Sequence, residues 1–485
     1  MRSLLAVLNV TGTLLGFFSL YYLLPIATAL IYGEHAWRSF LAAALLTAAA
    51  GQTLRLLTHS YRTELKARDA YLLVTLGWLA IALSASAPFM MQIRELSLTD
   101  AFFESMSGLS TTGATVLSGL DELPRSLNLW RCALSWLGGM GIIVLAIAVL
   151  PLLGVGGMQM YRADTPGAVK DSKLAPRIAE TARLLWLVYA GITAACALAL
   201  WVAGMPPFDA ICHAFSTLAL GGFSTHDSGI AFYDSPLIEA VLTLFMLLAA
   251  MNFSTHFLAI RRGDLGVYGR DSEAKWLVVA VAGSSVVVSV DVFLSGLYPD
   301  YLTTFRHVIF SLVSVATGGG FVSTDYSRWP EFAPMWMLFL SCVCASTGST
   351  GGGIKMFRSL ILTKQSLREM FMLVHPSAVV PLKIANQVVQ NQVVQSVLAF
   401  IFLYFMTVVV LSFTLLLSGL DFISAFSAII ACINNVGPGL GVVGPAANYS
   451  ALTDFQTWVC TAAMFLGRIE LLTFLVLLTP AFWRK

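Results

Sequence analysis

Four glycine-rich stretches are the parts of this sequence best suited to chemistry, and that chemistry is the handling of an ion. They are STTGAT (110–115), ALGGFSTHD (219–227), TGGGFVSTDY (317–326) and NNVGPGLG (434–441). Each closes a short apolar segment: DAFFESMSGLSTTGAT (100–115), DAICHAFSTLALGGFST (209–225), TFRHVIFSLVSVATGGGFVSTD (304–325) and DFISAFSAIIACINNVGPGLG (421–441). Asp100 to Gly113 and Asp209 to Gly222 both span 13 residues, while Thr304 to Gly320 and Asp421 to Gly437 both span 16. The four glycines recur 109, 98 and 117 residues apart, which marks an internal repeat. Glycine lets the backbone turn carbonyl oxygens toward a shared axis without a Cβ clash. A ring of such oxygens can replace the hydration shell of a cation. The loops carry no ring of acidic side chains, which favours carbonyl coordination of a monovalent ion.

Two further features suggest control of a pore. The run Ala345, Ser346, Thr347, Gly348, Ser349, Thr350, Gly351, Gly352, Gly353, Ile354 and Lys355 lies inside an apolar stretch. Each glycine there costs a helix about 1 kcal/mol relative to alanine, so the helix is predicted to break. The hydroxyls can satisfy the freed backbone groups, and a broken helix beside a pore is a natural gate. Arg468 is the one basic residue in the middle of a span. A charge there costs about 2.5–3.5 kcal/mol unless it faces water or a partner. It is expected to project into the pore as a positive barrier rather than to pair with Glu470, because i,i+2 residues point to different helix faces.

Other patterns carry no chemistry. Gly439-x-Gly441-x-x-Gly444 matches a dinucleotide fingerprint without a surrounding βαβ unit. Ser349 and Thr350 near Lys355 lack the residue order of a phosphate loop. His213, His226, His256 and His307 are scattered, and the seven cysteines read as small apolar residues. Glu104 and Asp209 are expected to bond backbone or to sit at a mouth. No nucleophile–base pair is visible, so the chain is not expected to be an enzyme. No metal site beyond the permeant ion is expected, and nucleotide control would require a partner.

These residues must be positioned within a membrane. Hydrophobic residues make up 58% of the 485 and charged ones 11%, against about 25% charged in a soluble domain. Mean hydropathy is +0.80. The net charge of +2 gives no footing for nucleic acid. Ten stretches are long and apolar enough to span: 4–32, 39–58, 70–92, 128–155, 184–204, 236–260, 276–298, 332–354, 391–419 and 455–482. The first is too long for the apolar core of a cleavable signal. Of the 28 basic residues, 21 fall in the connections on one side or at the ends. They include Arg62, Lys66, Arg162, Lys170, Lys173, Arg261, Arg270 and Lys275. The positive-inside rule makes that side, with both termini, cytoplasmic.

On the outer side, four of the five connections hold one of the glycine-tipped segments. Non-helical backbone at membrane depth survives only where it lines water or is buried in protein. A half-helix would aim its carbonyl end, about −0.5 charge, at that axis. The expected organisation is all-α. It comprises an N-terminal hairpin (1–65) and four helix–pore-loop–helix repeats at 66–160, 161–265, 266–375 and 376–485. Alternating access by inverted repeats is the rival architecture, but these repeats all run the same way up.

The four loops in order, with WLGGMGI (136–142) and FLGRIELL (465–472), resemble the superfamily of Trk and Ktr potassium transporters. The two extra N-terminal spans are those of its TrkH-type subunits. The resemblance implies K⁺ (and Rb⁺) uptake across the bacterial inner membrane. It implies a filter of Thr111, Thr112, Gly113, Gly221, Gly222, Gly319, Gly320, Val436 and Gly437, and a blocking loop at 345–355. It also implies a homodimer above a cytosolic TrkA-type ring that binds NAD, ATP or ADP. The third loop departs from the usual threonine-rich form at Gly318 and Gly319, which leaves its register open by a residue or two.

Overall fold

The computed structural model describes residues 2–61, 67–148, 174–385 and 387–484. Arg62, Lys66, Arg162, Lys170 and Lys173, the tail of the 128–155 stretch and the repeat boundaries near 65 and 160 lie outside the described residues. So does Lys485 at the C-terminal end.

Among the described residues the regular structure is helical, apart from one short hairpin. The N-terminal pair is α1 (Arg2–Tyr21) continuing into α2 (Leu23–Ile31), then α3 (Trp37–Leu57). The first repeat follows as α4 (Ala67–Gln92), α5 (Leu98–Leu109) and α6 (Arg125–Ala148). The second holds α7 (Leu174–Val202), α8 (Pro207–Ala219), α9 (Pro236–Ala250) and α10 (Phe253–Arg262). After α11 (Gly266–Arg270), the third has α12 (Ser272–Leu294), α13 (Tyr301–Thr317), α14 (Phe332–Val343) and α15 (Met356–Val374). The hairpin β1 (Lys383–Ile384) and β2 (Gln387–Val388) precedes the fourth. That repeat comprises α16 (Asn391–Leu417), α17 (Phe422–Ile433), α18 (Asp454–Arg468), α19 (Leu471–Leu475) and α20 (Pro480–Trp483).

Among the described residues, six helical stretches cross the length and apolarity needed to span: 3–31, 37–57, 68–92, 180–202, 272–294 and 391–417. Their outer faces stay apolar and exposed, as at Phe17 and Leu417, because lipid replaces water there. Two stretches read in the sequence as straight spans are not straight. Residues 236–260 bend by 99° between α9 and α10, and 455–482 bend by 106° between α18 and α19. At the first bend Met251 is extended and Asn252 caps α10, its Oδ1 accepting from the Ser254 amide at 2.9 Å. At the second, Glu470 adopts a left-handed φ of +63°. The predicted break after the third loop is present: α14 stops at Val343 and α15 starts at Met356.

The four short helices α5, α8, α13 and α17 are almost wholly buried at their C-terminal halves. Their starts are capped where side chains allow. Ser97 accepts from the Asp100 amide, Asp300 from that of Thr303 and Asp421 from that of Ser424. Pro207 opens α8 in its place, its missing N–H being one that no helix start could use. Capping anchors the starts and leaves the carbonyl ends to converge in the interior.

Candidate ion-conduction site

Where each short helix ends, the backbone follows the same alternation. Thr111 and Gly113 have φ of +56° and +78°, Leu220 and Gly222 +54° and +67°. Gly318 and Gly320 have +84° and +70°, Asn435 and Gly437 +55° and +98°. In each loop the residue between the two, Thr112, Gly221, Gly319 or Val436, is not left-handed. The amides of Thr112, Gly221 and Val436 turn back onto the carbonyls of Ser107, Ser216 and Ala431, each at 2.8 Å. In the third loop it is Gly320 that donates, to Ser314, at 3.1 Å. With the amides tied to the helix ends, the intervening carbonyls are free to face the middle. The register of the third loop is settled: Gly320 aligns with the other three glycines. Gly318 takes the left-handed position that Thr111, Leu220 and Asn435 occupy at a steric cost.

The four loops close a ring. A Cβ built on Gly113 would lie 2.1 Å from the carbonyl oxygen of Gly221. One on Gly222 would lie 3.0 Å from that of Gly319, one on Gly320 2.3 Å from that of Val436, and one on Gly437 2.7 Å from that of Thr112. Each glycine is thus overlaid by the carbonyl preceding its neighbour's glycine, in the order one, two, three, four, one. Side-chain carbon has no room at any of the four positions. Of the nine residues named from sequence as a filter, Thr112, Gly113, Gly221, Gly222, Gly319, Gly320, Val436 and Gly437 meet in this ring, and Thr111 precedes Thr112 in the first loop.

Buried polar contacts brace the ring from behind. Asn435 donates through Nδ2 to Thr112 Oγ1 at 2.9 Å and to the Met464 carbonyl at 3.0 Å, joining the fourth loop to the first. Tyr449 donates to the Gly437 carbonyl at 2.8 Å. Glu104 accepts from the Val116 amide at 3.1 Å and from the Thr115 hydroxyl, so it bonds backbone as expected. Its partner was missed in the sequence. Arg131 lies in α6, fully buried, with Nε 2.7 Å from Glu104 Oε1. Its Nη1 reaches the Ser224 carbonyl at 3.0 Å, which ties the first loop to the second. Spacing along the chain gives no sign of that pair, 27 residues apart.

One side of the ring opens into a vestibule of about 700 Å³, lined by all four glycines with Asp227 and Asp325. At its rim the ring of His226 bonds Asp121, holding that carboxyl below the usual range, and lies 3.6 Å from Asp209.

The other side is occupied by residues 344–355. Ser346, Ser349 and Thr350 are buried there, and Lys355 nearly so, with a φ of +74°. Thr350 Oγ1 donates to the Leu218 carbonyl at 2.9 Å, at the end of α8. A Cβ on Gly351 would sit 3.1 Å from the Thr317 carbonyl, and one on Gly352 2.4 Å from that of Asn434. The segment therefore lies directly under the carbonyl ends of α8, α13 and α17. Ser346 bonds the carbonyl of Ala250 and Gly348 accepts from Phe253, so it is also docked on the bend of the second repeat.

Arg468 is buried. It donates Nη1 to the Thr350 carbonyl and Nη2 to that of Gly138, each at 2.8 Å. It thereby spans from the fourth repeat to the third and the first. Glu470 pairs elsewhere, with Arg358 at 2.9 Å, so the discounted Arg468–Glu470 pair is absent. Between the segment and α18–α19 lies a cavity of about 20 Å³, space for about one water. Among the described residues no group of three or more His, Cys, Asp or Glu could hold a metal ion, and all seven cysteines are free.

The family model for TrkH, described as a cation transport protein, matches residues 37–485. The Trk system potassium uptake protein TrkH of Salmonella typhimurium is 44% identical over 481 residues, covering 99% of each chain. That of Halomonas elongata is 44% identical over 484 residues, covering 100% of each. The crystal structure of the potassium transporter TrkH from Vibrio parahaemolyticus superposes with a TM-score of 0.91 at 41% identity. It covers 100% of this chain and 99% of that one. These relatives are named as transporters, not enzymes. With its helical membrane fold and its ring of four loops, the chain belongs to the TrkH family of cation transport proteins.

Proposed function

We propose that this protein takes up K⁺, and Rb⁺ with it, by permeation through the four-loop ring. The observation that carries the reading is the cyclic overlay of each glycine by its neighbour's carbonyl. Backbone oxygens held at that density, with the carbonyl ends of four half-helices behind them, suit a partly dehydrated monovalent cation. Thr111, Thr112, Gly113, Gly221, Gly222, Gly319, Gly320, Val436 and Gly437 form the filter. Each repeat offers about one glycine position, so discrimination against Na⁺ is finite. Residues 345–355 are the gate, and Arg468 holds it in place by two hydrogen bonds while adding positive charge beneath the filter.

The chain works in the bacterial inner membrane with both termini in the cytoplasm, an orientation that the lysine and arginine asymmetry supports. It acts as a homodimer, and a cytosolic TrkA-type ring that binds NAD, ATP or ADP opens the gate. The basic cytoplasmic connections and the family support that partnership. The four repeats and the hairpin divide the chain at the boundaries given above.

The test is cation flux into liposomes holding the purified protein, under K⁺, Rb⁺, Na⁺ and Li⁺ gradients, with wild type beside a 346–353 deletion. Flux that favours K⁺ and Rb⁺ and rises in the deletion is expected. A deletion with no flux, or with no preference among the four ions, would overturn the proposal.

A further inference from the structure

The segment under the filter is held by more than Arg468. Its start carries a bond that no feature of the loop itself suggests: the amide of Thr347 donates to Glu273 Oε2 at 2.7 Å. Glu273 is 7% exposed and stands in the first turn of α12, 74 residues away in sequence. A hydrogen bond from a backbone amide to a carboxylate is shorter and about twice as strong as a neutral one. A buried carboxylate that loses its donor is costly. The bond therefore favours one position of the loop over any other.

Glu273 is also well placed to be moved. The turn that starts α12 is built on Asp271, whose side chain accepts from the amides of Glu273 and Ala274 and from Thr255 Oγ1 at 2.7 Å. Thr255 lies in α10, and His256 beside it bonds the Tyr268 hydroxyl of α11 at 2.8 Å. The connection 253–275 is thus one hydrogen-bonded piece. It carries the exposed Arg261, Arg262 and Arg270 as well as the carboxylate that holds the loop.

We propose that Glu273 is a positioning residue, a clasp that holds the intramembrane segment closed through the Thr347 amide. The connection 253–275 transmits a displacement from the cytoplasmic face to that clasp. The inference rests on the reading of 345–355 as the gate. It differs from the role of Arg468, which grips the middle of the segment at Thr350, because Glu273 grips its start and belongs to another helix.

The experiment is Rb⁺ flux into liposomes from the full chain without any partner. It compares wild type, Glu273→Ala, Glu273→Gln, the 346–353 deletion and the deletion combined with Glu273→Ala. Glu239→Gln, a second buried acid that binds Arg306 away from the loop, serves as control. Glu273→Ala is expected to raise flux at least tenfold, and Glu273→Gln, which keeps a weaker acceptor, by less. Glu239→Gln should leave flux unchanged, and Glu273→Ala should add nothing to the deletion. That non-additivity is the readout that mere destabilisation would not produce. If Glu273→Ala does not purify as a folded protein, Glu273→Gln carries the test. A flux-raising deletion beside Glu273 variants at the wild-type level would sink the clasp and leave the gate standing. A deletion at the wild-type level would sink the gate, and the clasp with it.

Discussion

Replacing Gly113 with alanine tests the ring most directly. Two penalties are separable in the structure. The first is conformational: φ is +78°, and a side chain in left-handed backbone costs about 1 kcal/mol or somewhat more. The second is steric. The new Cβ would stand 2.1 Å from the Gly221 carbonyl oxygen, where ordinary contact begins at 3.4 Å. The oxygen must retreat by more than 1 Å, and it is one of the four carbonyls of the ring proposed above to coordinate the ion. Gly33→Ala isolates the first penalty, because Gly33 has a φ of +68° and nothing within 4 Å of its missing Cβ. In Rb⁺ flux on the 346–353 deletion background, Gly113→Ala is expected to lose at least tenfold, about 1.4 kcal/mol in barrier, and Gly33→Ala nothing. The four glycines should rank by crowding. Gly113 and Gly320 (2.3 Å) are worst, Gly437 (2.7 Å) next, and Gly222, whose nearest atom is the Gly320 Cα at 2.9 Å, mildest. A Gly113→Ala protein that conducts and selects like wild type would refute the carbonyl ring as the conduction site.

Two further outcomes follow from the buried contacts. Arg468→Ala removes both hydrogen bonds by which this side chain links Thr350 of the segment to Gly138 of α6, so partner-free Rb⁺ flux should rise; an unchanged or lower flux would count against its role as a strut. Glu104→Ala strands the Arg131 guanidinium in a site with almost no solvent. Breaking such a pair from one side costs about 3–5 kcal/mol, so the midpoint of thermal unfolding in detergent should fall well below wild type, and a midpoint within error of wild type would show that water or lipid headgroups reach the site.

Much of this protein is legible along the chain because membranes impose local rules. Apolar runs of spanning length, lysine and arginine bias and glycine-tipped short helices are properties of consecutive residues. The positions of six spans and of the four glycines that end the short helices follow from them. The break at 344–355 is equally local, because Gly348 and Gly351 to Gly353 cannot support a helix. The bends at 251–252 and 469–470 escaped notice. Neither contains proline or a glycine run, and each is set by contacts with the intramembrane segment or by side-chain capping.

What only the tertiary structure decided is which distant groups meet. Hydrogen-bonding partners 118 residues apart at Arg468 and Thr350, 112 at Arg358 and Glu470, and 74 at Glu273 and Thr347 leave no periodic trace. The same holds for Glu104 with Arg131 and for the overlay of each glycine by the next repeat's carbonyl. Arg468 shows the difference best. Its cost in lipid could be read from its position alone, and that cost required a polar destination. Whether the destination was open pore, Glu470 or a pair of backbone carbonyls depended on how four repeats pack around one axis, which no single segment encodes.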